Sequence, residues 1–193
     1  MARGFAPDYD GSRWLIKALR EAGRAFESQL SGLSEQQLRW RSSEDTWSLK
    51  EIAAHLRDCE EHFLDSLELI AYEDAPRIPA LDADALVLEN DYRQLDLYET
   101  IERYEYARHR VVNLLWSLES EDWERTGRHP YSGEISIARL AREHTEHDLE
   151  HLWQARRLAE VIATQAGAVS WAGFLGVPQY QPGVSLNGDD FGY

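Results

Sequence analysis

Apolar residues recur every three or four positions in four long stretches of the sequence, and this repeat limits the fold more than any other feature. The stretches cover about residues 12–30, 48–70, 92–118 and 136–164. Spacing of this kind places the apolar side chains on one face of an α-helix. Long amphipathic helices bury those faces against one another, so the sequence predicts an all-α fold, a four-helix bundle.

The segments between these stretches predict how the helices begin and how they are connected. Ser48 and Glu51 match a capping box, in which each side chain accepts a hydrogen bond from the backbone of the other residue. Residues 72–90 contain two prolines and scattered aspartates, so we expect a long crossover between the second and third helices. One helical turn is expected near residues 83–88, and residues 119–133 are expected to form a polar loop.

The composition changes after Gly167. Residues 168–193 contain several glycines and prolines, which break helices, but this segment is also rich in aromatic residues. Because aromatic side chains carry a large apolar surface, we expect an irregular C-terminal extension that packs on the bundle formed by residues 1–167. Its aromatic residues include Trp171, Phe174, Tyr180 and Phe191.

Charge and cysteine content exclude several classes of protein. The chain has 193 residues, of which 35 are acidic and 20 are basic, and its net charge is −15. Phosphate groups are bound by cationic surfaces, so neither nucleic acid nor an anionic membrane is an expected partner. The single cysteine, Cys59, cannot form an internal disulfide. With no secretion signal and no long apolar run, the sequence predicts a cytoplasmic protein.

The residues most indicative of chemistry are histidines on the apolar faces of the predicted helices. His147 and His151 are four residues apart, so their rings lie about 40° apart around a helix and about 6 Å apart along it. Such a pair can share one metal ion, and His55 on another helix can supply a third nitrogen. Three neutral nitrogens leave an open coordination position. The alternative for a single buried histidine, including His144, is a hydrogen-bonded core residue or one that lines the site.

Two further residues have alternative roles. Cys59 follows His55 by one helical turn, and its thiolate would be a soft metal ligand, although a small buried apolar residue is the more frequent role of a cysteine. Arg108 lies on the apolar face of the third helix, where it either orients an anionic substrate or pairs with a buried acid. The remaining histidines are His62 and His109, which are expected to be solvated, and His129, whose role is open.

Residues 147–151 also match the pattern H-x-x-E-H of inverted zinc proteases, in which Glu150 would be the general base. Glu150 is turned about 60° from His147 and about 100° from His151, away from a metal in the core. A third ligand downstream is also needed, and only the irregular extension follows. The peptidase assignment is therefore disfavoured.

Three segments of the sequence resemble the DinB-like (YfiT-like) superfamily. They are residues 47–56, 129–136 and 144–154, which match the start of its second helix, its loop before the last helix and that last helix. The resemblance covers about residues 12–161. It implies a four-helix bundle with a crossover that binds one divalent metal, commonly zinc or nickel, through three histidines. Carried over to this sequence, the three ligands are His55, His147 and His151.

The same resemblance implies a relation to enzymes that use low-molecular-weight thiols such as bacillithiol and mycothiol. We therefore expect a metal-dependent enzyme that acts on a small-molecule substrate, with thiol S-transfer as the first hypothesis. Hydrolysis at the same site is an alternative. A non-catalytic metal-binding stress protein is another. Bundles of this type often dimerise, so a homodimer is also expected.

Overall fold

The computed structural model describes residues 8–165, and the structural statements below concern that part of the chain. Its α-helices are α1 (Asp8–Leu30), α2 (Glu35–Leu38), α3 (Leu49–Tyr72), α4 (Ala83–Glu89), α5 (Leu97–Ser117) and α6 (Ile137–Gln165). Between α5 and α6 lie a short 3₁₀ helix (Asp122–Glu124) and the strands β1 (Thr126–His129) and β2 (Gly133–Ser136).

The four long helices α1, α3, α5 and α6 form the predicted four-helix bundle. Helix α1 packs on α5 and α6, and α3 packs on the same two helices from the opposite side. The crossover that contains α4 joins α3 to α5, as the prolines of residues 72–90 predicted. None of the described helices combines the length and the hydropathy that crossing a membrane requires.

The core consists of two apolar clusters separated by a polar layer. Each of the four long helices contributes to both clusters. Between the clusters, α3, α5 and α6 bury polar side chains instead, which include His55, Asp58, Glu60, Arg108, Thr145 and Asp148. The candidate site therefore lies in the middle of the bundle. Representative members are Leu19, Leu67, Val111 and Ala141 in the first cluster and Phe26, Ile52, Tyr104 and Ala155 in the second.

The start of α3 is held by the predicted capping box. Ser48 Oγ accepts a hydrogen bond from the Glu51 backbone N–H at 3.3 Å, and Glu51 Oε2 accepts one from the Ser48 backbone N–H at 2.9 Å. Arg41 also pairs with the Glu51 carboxylate, so this buried charge is compensated. Because the helix begins at a defined residue, His55 lies in its second turn and faces the bundle core.

Three parts of the fold differ from the prediction, and the first is that α1 begins at Asp8 rather than near residue 12. The segment predicted as a polar loop contains a hairpin, in which β1 and β2 pair antiparallel. Strands of four residues are too short for an alternating pattern to be recognised. Gly127 lies so close to α3 that a Cβ there would be 2.9 Å from the Ile70 side chain.

Helix α5 begins at Leu97 rather than near residue 92, because the Asp96 carboxylate caps the helix by accepting a hydrogen bond from the Glu99 N–H.

The predicted packing of residues 168–193 on the bundle, through Trp171, Phe174 and Phe191, concerns a segment outside the described residues. The division of the chain at Gly167 therefore stays a prediction.

The helical turn expected near residues 83–88 is present as α4, and Asp82 caps it by accepting a hydrogen bond from the Ala85 N–H at 3.0 Å.

Candidate metal centre

Three imidazole rings meet between α3 and α6. His55 comes from α3, and His147 and His151 come from successive turns of α6. The ring centroids are 5.1 Å apart for His55 and His147, 4.7 Å for His55 and His151, and 4.5 Å for His147 and His151. The structure thus brings together the three histidines that helical spacing selected.

The two closest nitrogens have a separation that suits a shared metal ion. His55 Nε2 and His147 Nε2 are 3.0 Å apart. Two nitrogens that are each bound to one ion at about 2.0–2.1 Å lie about 2.9–3.4 Å from one another. Burial, together with the neighbouring His151, lowers the pKa of His55 to about 4 and that of His147 to about 3. Both rings are therefore neutral near pH 7, which is the form that coordinates metal.

His151 is oriented by its own neighbours. Its Nδ1 is 2.8 Å from Gln154 Oε1, so this nitrogen donates a hydrogen bond and Nε2 keeps its lone pair. The Trp47 ring stacks on the imidazole, with centroids 6.0 Å apart and planes inclined by 12°. Trp47 also contacts His55, at a centroid distance of 4.8 Å. One indole therefore covers two of the three rings.

Cys59 lies beside the imidazoles. Its Sγ is 3.5 Å from His55 Nε2 and 4.0 Å from His147 Nε2. Potential ligand atoms of these three residues all lie within 4.8 Å of one another, a set that does not include His151. Burial, with the nearby Asp58 charge adding to it, raises the pKa of the Cys59 thiol to about 12. Cys59 is thus buried, as expected, but it also contacts two predicted ligands.

Arg108 is held by acids inside the bundle. Its guanidinium contacts Glu60 through Nε at 2.8 Å and Nη2 at 2.6 Å, and Nη2 is also 2.6 Å from Asp148 Oδ2. Nη1 donates to the Leu19 carbonyl at 2.5 Å. Arg108 is only 5% exposed. These contacts correspond to the alternative in which Arg108 pairs with a buried acid, and its role as a substrate-orienting residue stays a prediction.

His144 belongs to this ionic network. Its Nε2 is 2.7 Å from Glu60 Oε2, and its ring stacks on Phe63 at a centroid distance of 4.0 Å. Burial alone would raise the pKa of Glu60, but the charges of Arg108 and His144 outweigh burial and hold the pKa at about 2. The network occupies the polar layer one helical turn from the imidazoles. His144 therefore lines the site and contacts an acid, one of the roles considered for it.

The two acids of this network, Glu60 and Asp148, were not among the predicted site residues, although the sequence contains a signal for each. Glu60 interrupts the apolar face of α3 at the spacing that joins Leu56 to Phe63. Asp148 stands midway between Ala141 and Ala155, two core residues of α6. An acid at an apolar position needs a buried cation.

The other histidines and Glu150 lie outside both groups. His109 is exposed, as predicted, whereas His62 is partly buried rather than solvated, and burial lowers its pKa. His129 Nδ1 accepts a hydrogen bond from the Ser132 N–H at 3.1 Å, so it stabilises the hairpin turn. Glu150 is exposed on α6, as the argument against a peptidase site required.

Imidazoles from two facing helices meet in the core of this bundle. The fold and the site together are therefore those of a helical-bundle protein with a candidate metal centre in its core. The family model described as the DinB superfamily matches residues 18–155. The chain belongs to the DinB superfamily, which confirms the resemblance found in the three sequence segments.

Two curated proteins of Oceanobacillus iheyensis are similar to this chain. "Putative metal-dependent hydrolase OB0413" is 25% identical over 146 residues, which are 74% of this chain and 83% of that protein. "Putative metal-dependent hydrolase OB0782" is 27% identical over 140 residues, which are 71% of this chain and 81% of that protein.

Two solved structures share the fold. The structure titled "YfiT from Bacillus subtilis is a probable metal-dependent hydrolase with an unusual four-helix bundle topology" has a TM-score of 0.73 and 18% identity, and the match covers 88% of this chain and 94% of that chain. A mycothiol-dependent maleylpyruvate isomerase has a TM-score of 0.54 and 14% identity, with 84% of this chain and 63% of that chain covered. Both likenesses show the fold, and they confirm the predicted bundle.

Proposed function

We propose that the protein is a metal-dependent hydrolase that acts on a small molecule, and that His55, His147 and His151 hold one divalent ion, zinc or nickel. The observation that carries this proposal is the convergence of three imidazoles, with His55 Nε2 and His147 Nε2 only 3.0 Å apart. The donor set supports the proposal because neutral imidazole is a good ligand for zinc and nickel. The names of the two curated relatives support hydrolysis as the reaction.

The chain's own residues hold and orient the site. The ion, when bound, supplies a Lewis acid that lowers the pKa of a nucleophile to near neutrality. His55 and His147 present their Nε2 atoms from rigid helices, and the hydrogen bond from His151 Nδ1 to Gln154 holds the third ring. Trp47 covers the rings on one side and excludes water there.

Metal analysis and an activity panel test the proposal together. Untagged protein should bind one equivalent of Zn²⁺ or Ni²⁺, and the loaded protein should hydrolyse at least one member of a panel of esters, amides, lactones and phosphoesters. His147→Ala should lose both metal and activity. Glu150→Gln is the matched control on the same helix, because Glu150 is exposed, and it should keep both. Full metal content in a variant that lacks all three histidines would contradict the ligand assignment.

Thiol S-transfer, the first hypothesis from the sequence, is the second candidate. It is supported by the shared fold with a mycothiol-dependent isomerase. Loaded protein with bacillithiol, mycothiol, glutathione or coenzyme A and a chloro-dinitro arene should then consume thiol faster than metal-free protein. If the protein binds metal but accelerates neither hydrolysis nor thiol transfer, the non-catalytic metal-binding protein is the better assignment.

We also propose a homodimer, as expected for bundles of this type. Size-exclusion chromatography with light scattering measures the mass directly. The chain has a mass of 22.3 kDa, so a dimer is distinguished without ambiguity from a monomer.

A further inference from the structure

We propose that Cys59 is a ligand of the same metal ion, so that the centre contains a sulfur atom in addition to imidazole nitrogens. The inference rests on the proposed function, because it requires an ion held by His55 and His147. Neither the family match nor the relatives' names assign a role to this cysteine.

The distances between donor atoms carry the proposal. Cys59 Sγ is 3.5 Å from His55 Nε2 and 4.0 Å from His147 Nε2, and the two nitrogens are 3.0 Å apart. In a tetrahedral zinc site with a sulfur at about 2.3 Å and nitrogens at about 2.0–2.1 Å, sulfur and nitrogen are about 3.6 Å apart. The observed sulfur–nitrogen distances lie on either side of that value, so one ion can contact all three atoms after small side-chain adjustments.

The position of Cys59 in the helix explains why this arrangement is stable. His55 and Cys59 are four residues apart on α3, and residues with this separation lie on the same face of a helix. Both are buried. The adjacent carboxylate, Glu60, is turned toward Arg108 at 2.8 Å and does not compete for the ion. The cysteine and the two imidazoles therefore face one another in a rigid frame.

A sulfur ligand changes the chemistry of the centre. When the ion binds, the Cys59 S–H bond breaks, a sulfur–metal bond forms and the proton leaves to the solvent, with no change in oxidation state. Thiolate sulfur favours Zn²⁺, Co²⁺ and Cd²⁺ over the hard ions Mg²⁺ and Mn²⁺. His151, whose ring centroid is 4.5 Å from that of His147, would be the fourth protein donor, and zinc accepts a further ligand by expanding to five-coordinate geometry.

Spectroscopy of the metal-loaded protein tests the proposal without relying on activity. Metal-free protein is titrated with Co²⁺, and a sulfur-to-cobalt charge-transfer band in the near ultraviolet is expected in the wild type. X-ray absorption of the Zn²⁺ form should show one sulfur at about 2.3 Å in addition to the nitrogens. Cys59→Ser should lose both signals and bind Zn²⁺ at least about 10-fold more weakly, since removal of an outer-shell partner alone costs roughly 10–100-fold.

Ser66→Ala is the matched control. Ser66 is buried on the same helix and donates to the His62 carbonyl, away from the imidazoles, so this variant should keep the band and the affinity. One equivalent of Co²⁺ bound by wild-type protein without a sulfur signal would overturn the role of Cys59 and leave the histidine centre intact. Absence of Co²⁺ and Zn²⁺ binding would overturn the metal centre itself, and the role of Cys59 with it. The wild-type spectrum decides the question even if Cys59→Ser folds poorly.

Discussion

Arg108 and Glu60 form a two-point ion pair across the middle of the bundle, with Arg108 Nε to Glu60 Oε1 at 2.8 Å and Nη2 to Oε2 at 2.6 Å. The pair joins α5 to α3. Asp148 of α6 lies 2.6 Å from the same Nη2, so α6 is joined to the other two helices. A buried charge that loses its partner costs far more than an exposed one. The guanidinium thus stabilises three helices next to the turns that carry the imidazoles.

Replacement of Arg108 by leucine should destabilise the protein strongly. Arg108→Leu removes the guanidinium that Glu60 and Asp148 share in the core and leaves both acids beside His144 alone, so the free energy of unfolding should fall by about 3–5 kcal/mol. Urea denaturation followed by circular dichroism measures the change. Arg108→Lys keeps a charge but cannot reproduce the two-point contact, and it should lie between wild type and Arg108→Leu.

The neighbouring Arg110 offers a matched control on α5. Its ion pair with Glu68 is exposed, so Arg110→Leu should cost only about 0–1 kcal/mol. If Arg108→Leu proves as stable as Arg110→Leu but raises KM, the substrate-orienting role is supported and the structural one is wrong.

Gln154 should affect metal binding without being a ligand. Its side chain accepts the hydrogen bond from His151 Nδ1 at 2.8 Å and so fixes the nitrogen that faces the site. Gln154→Leu should weaken Zn²⁺ binding by about 10-fold, the lower end of the range for such partners, because this contact is exposed. Competition with a chromophoric chelator measures the affinity. Arg157→Gln, an exposed change one turn further along α6, should leave it unchanged. Equal affinities for both variants would show that Gln154 does not position His151.

Most of the fold was predictable because its signals are local. The periodic apolar faces and the capping box of Ser48 and Glu51 each lie within a few residues, and both appear in the structure as predicted. The pair His147 and His151 was equally local, since one helical turn separates them. His55 could be added because it lies on an apolar face, although its distance from His147 was not contained in the spacing.

The remaining features depend on contacts between distant residues. Arg108 pairs with Glu60 at a separation of 48 positions, and a sequence does not say which of the acids on the other helices a buried arginine contacts. The proximity of Cys59 to His147 depends on the packing of α3 against α6. The hairpin depends on β1 lying against α3, where Gly127 meets Ile70.

Loss of the cap on α3 should destabilise the protein modestly. Ser48→Ala removes the oxygen that accepts from the Glu51 N–H and leaves part of the first turn unsatisfied. We expect a loss of about 1 kcal/mol in the free energy of unfolding, measured by urea denaturation. Ser34→Ala removes the corresponding cap of the four-residue helix α2, which is exposed, and should cost less. If Ser34→Ala lowered the free energy of unfolding more than Ser48→Ala does, the Ser48 cap would not be what fixes the start of α3.

Glu27 on α1 should make stability depend on pH. Its pKa is raised to about 7, first by partial burial and then by the nearby Glu105 of α5, while Arg108 and Arg24 oppose the shift. A carboxyl whose pKa is raised on folding stabilises the folded state fully below its unfolded pKa of 4.5, and this contribution is lost as the pH rises to about 7. Glu27→Gln removes the dependence, so its stability relative to wild type should increase between pH 4.5 and pH 7. Urea denaturation at several pH values measures this, and Glu105→Gln should behave similarly because it removes the repelling partner. A constant difference across this pH range would contradict the raised pKa.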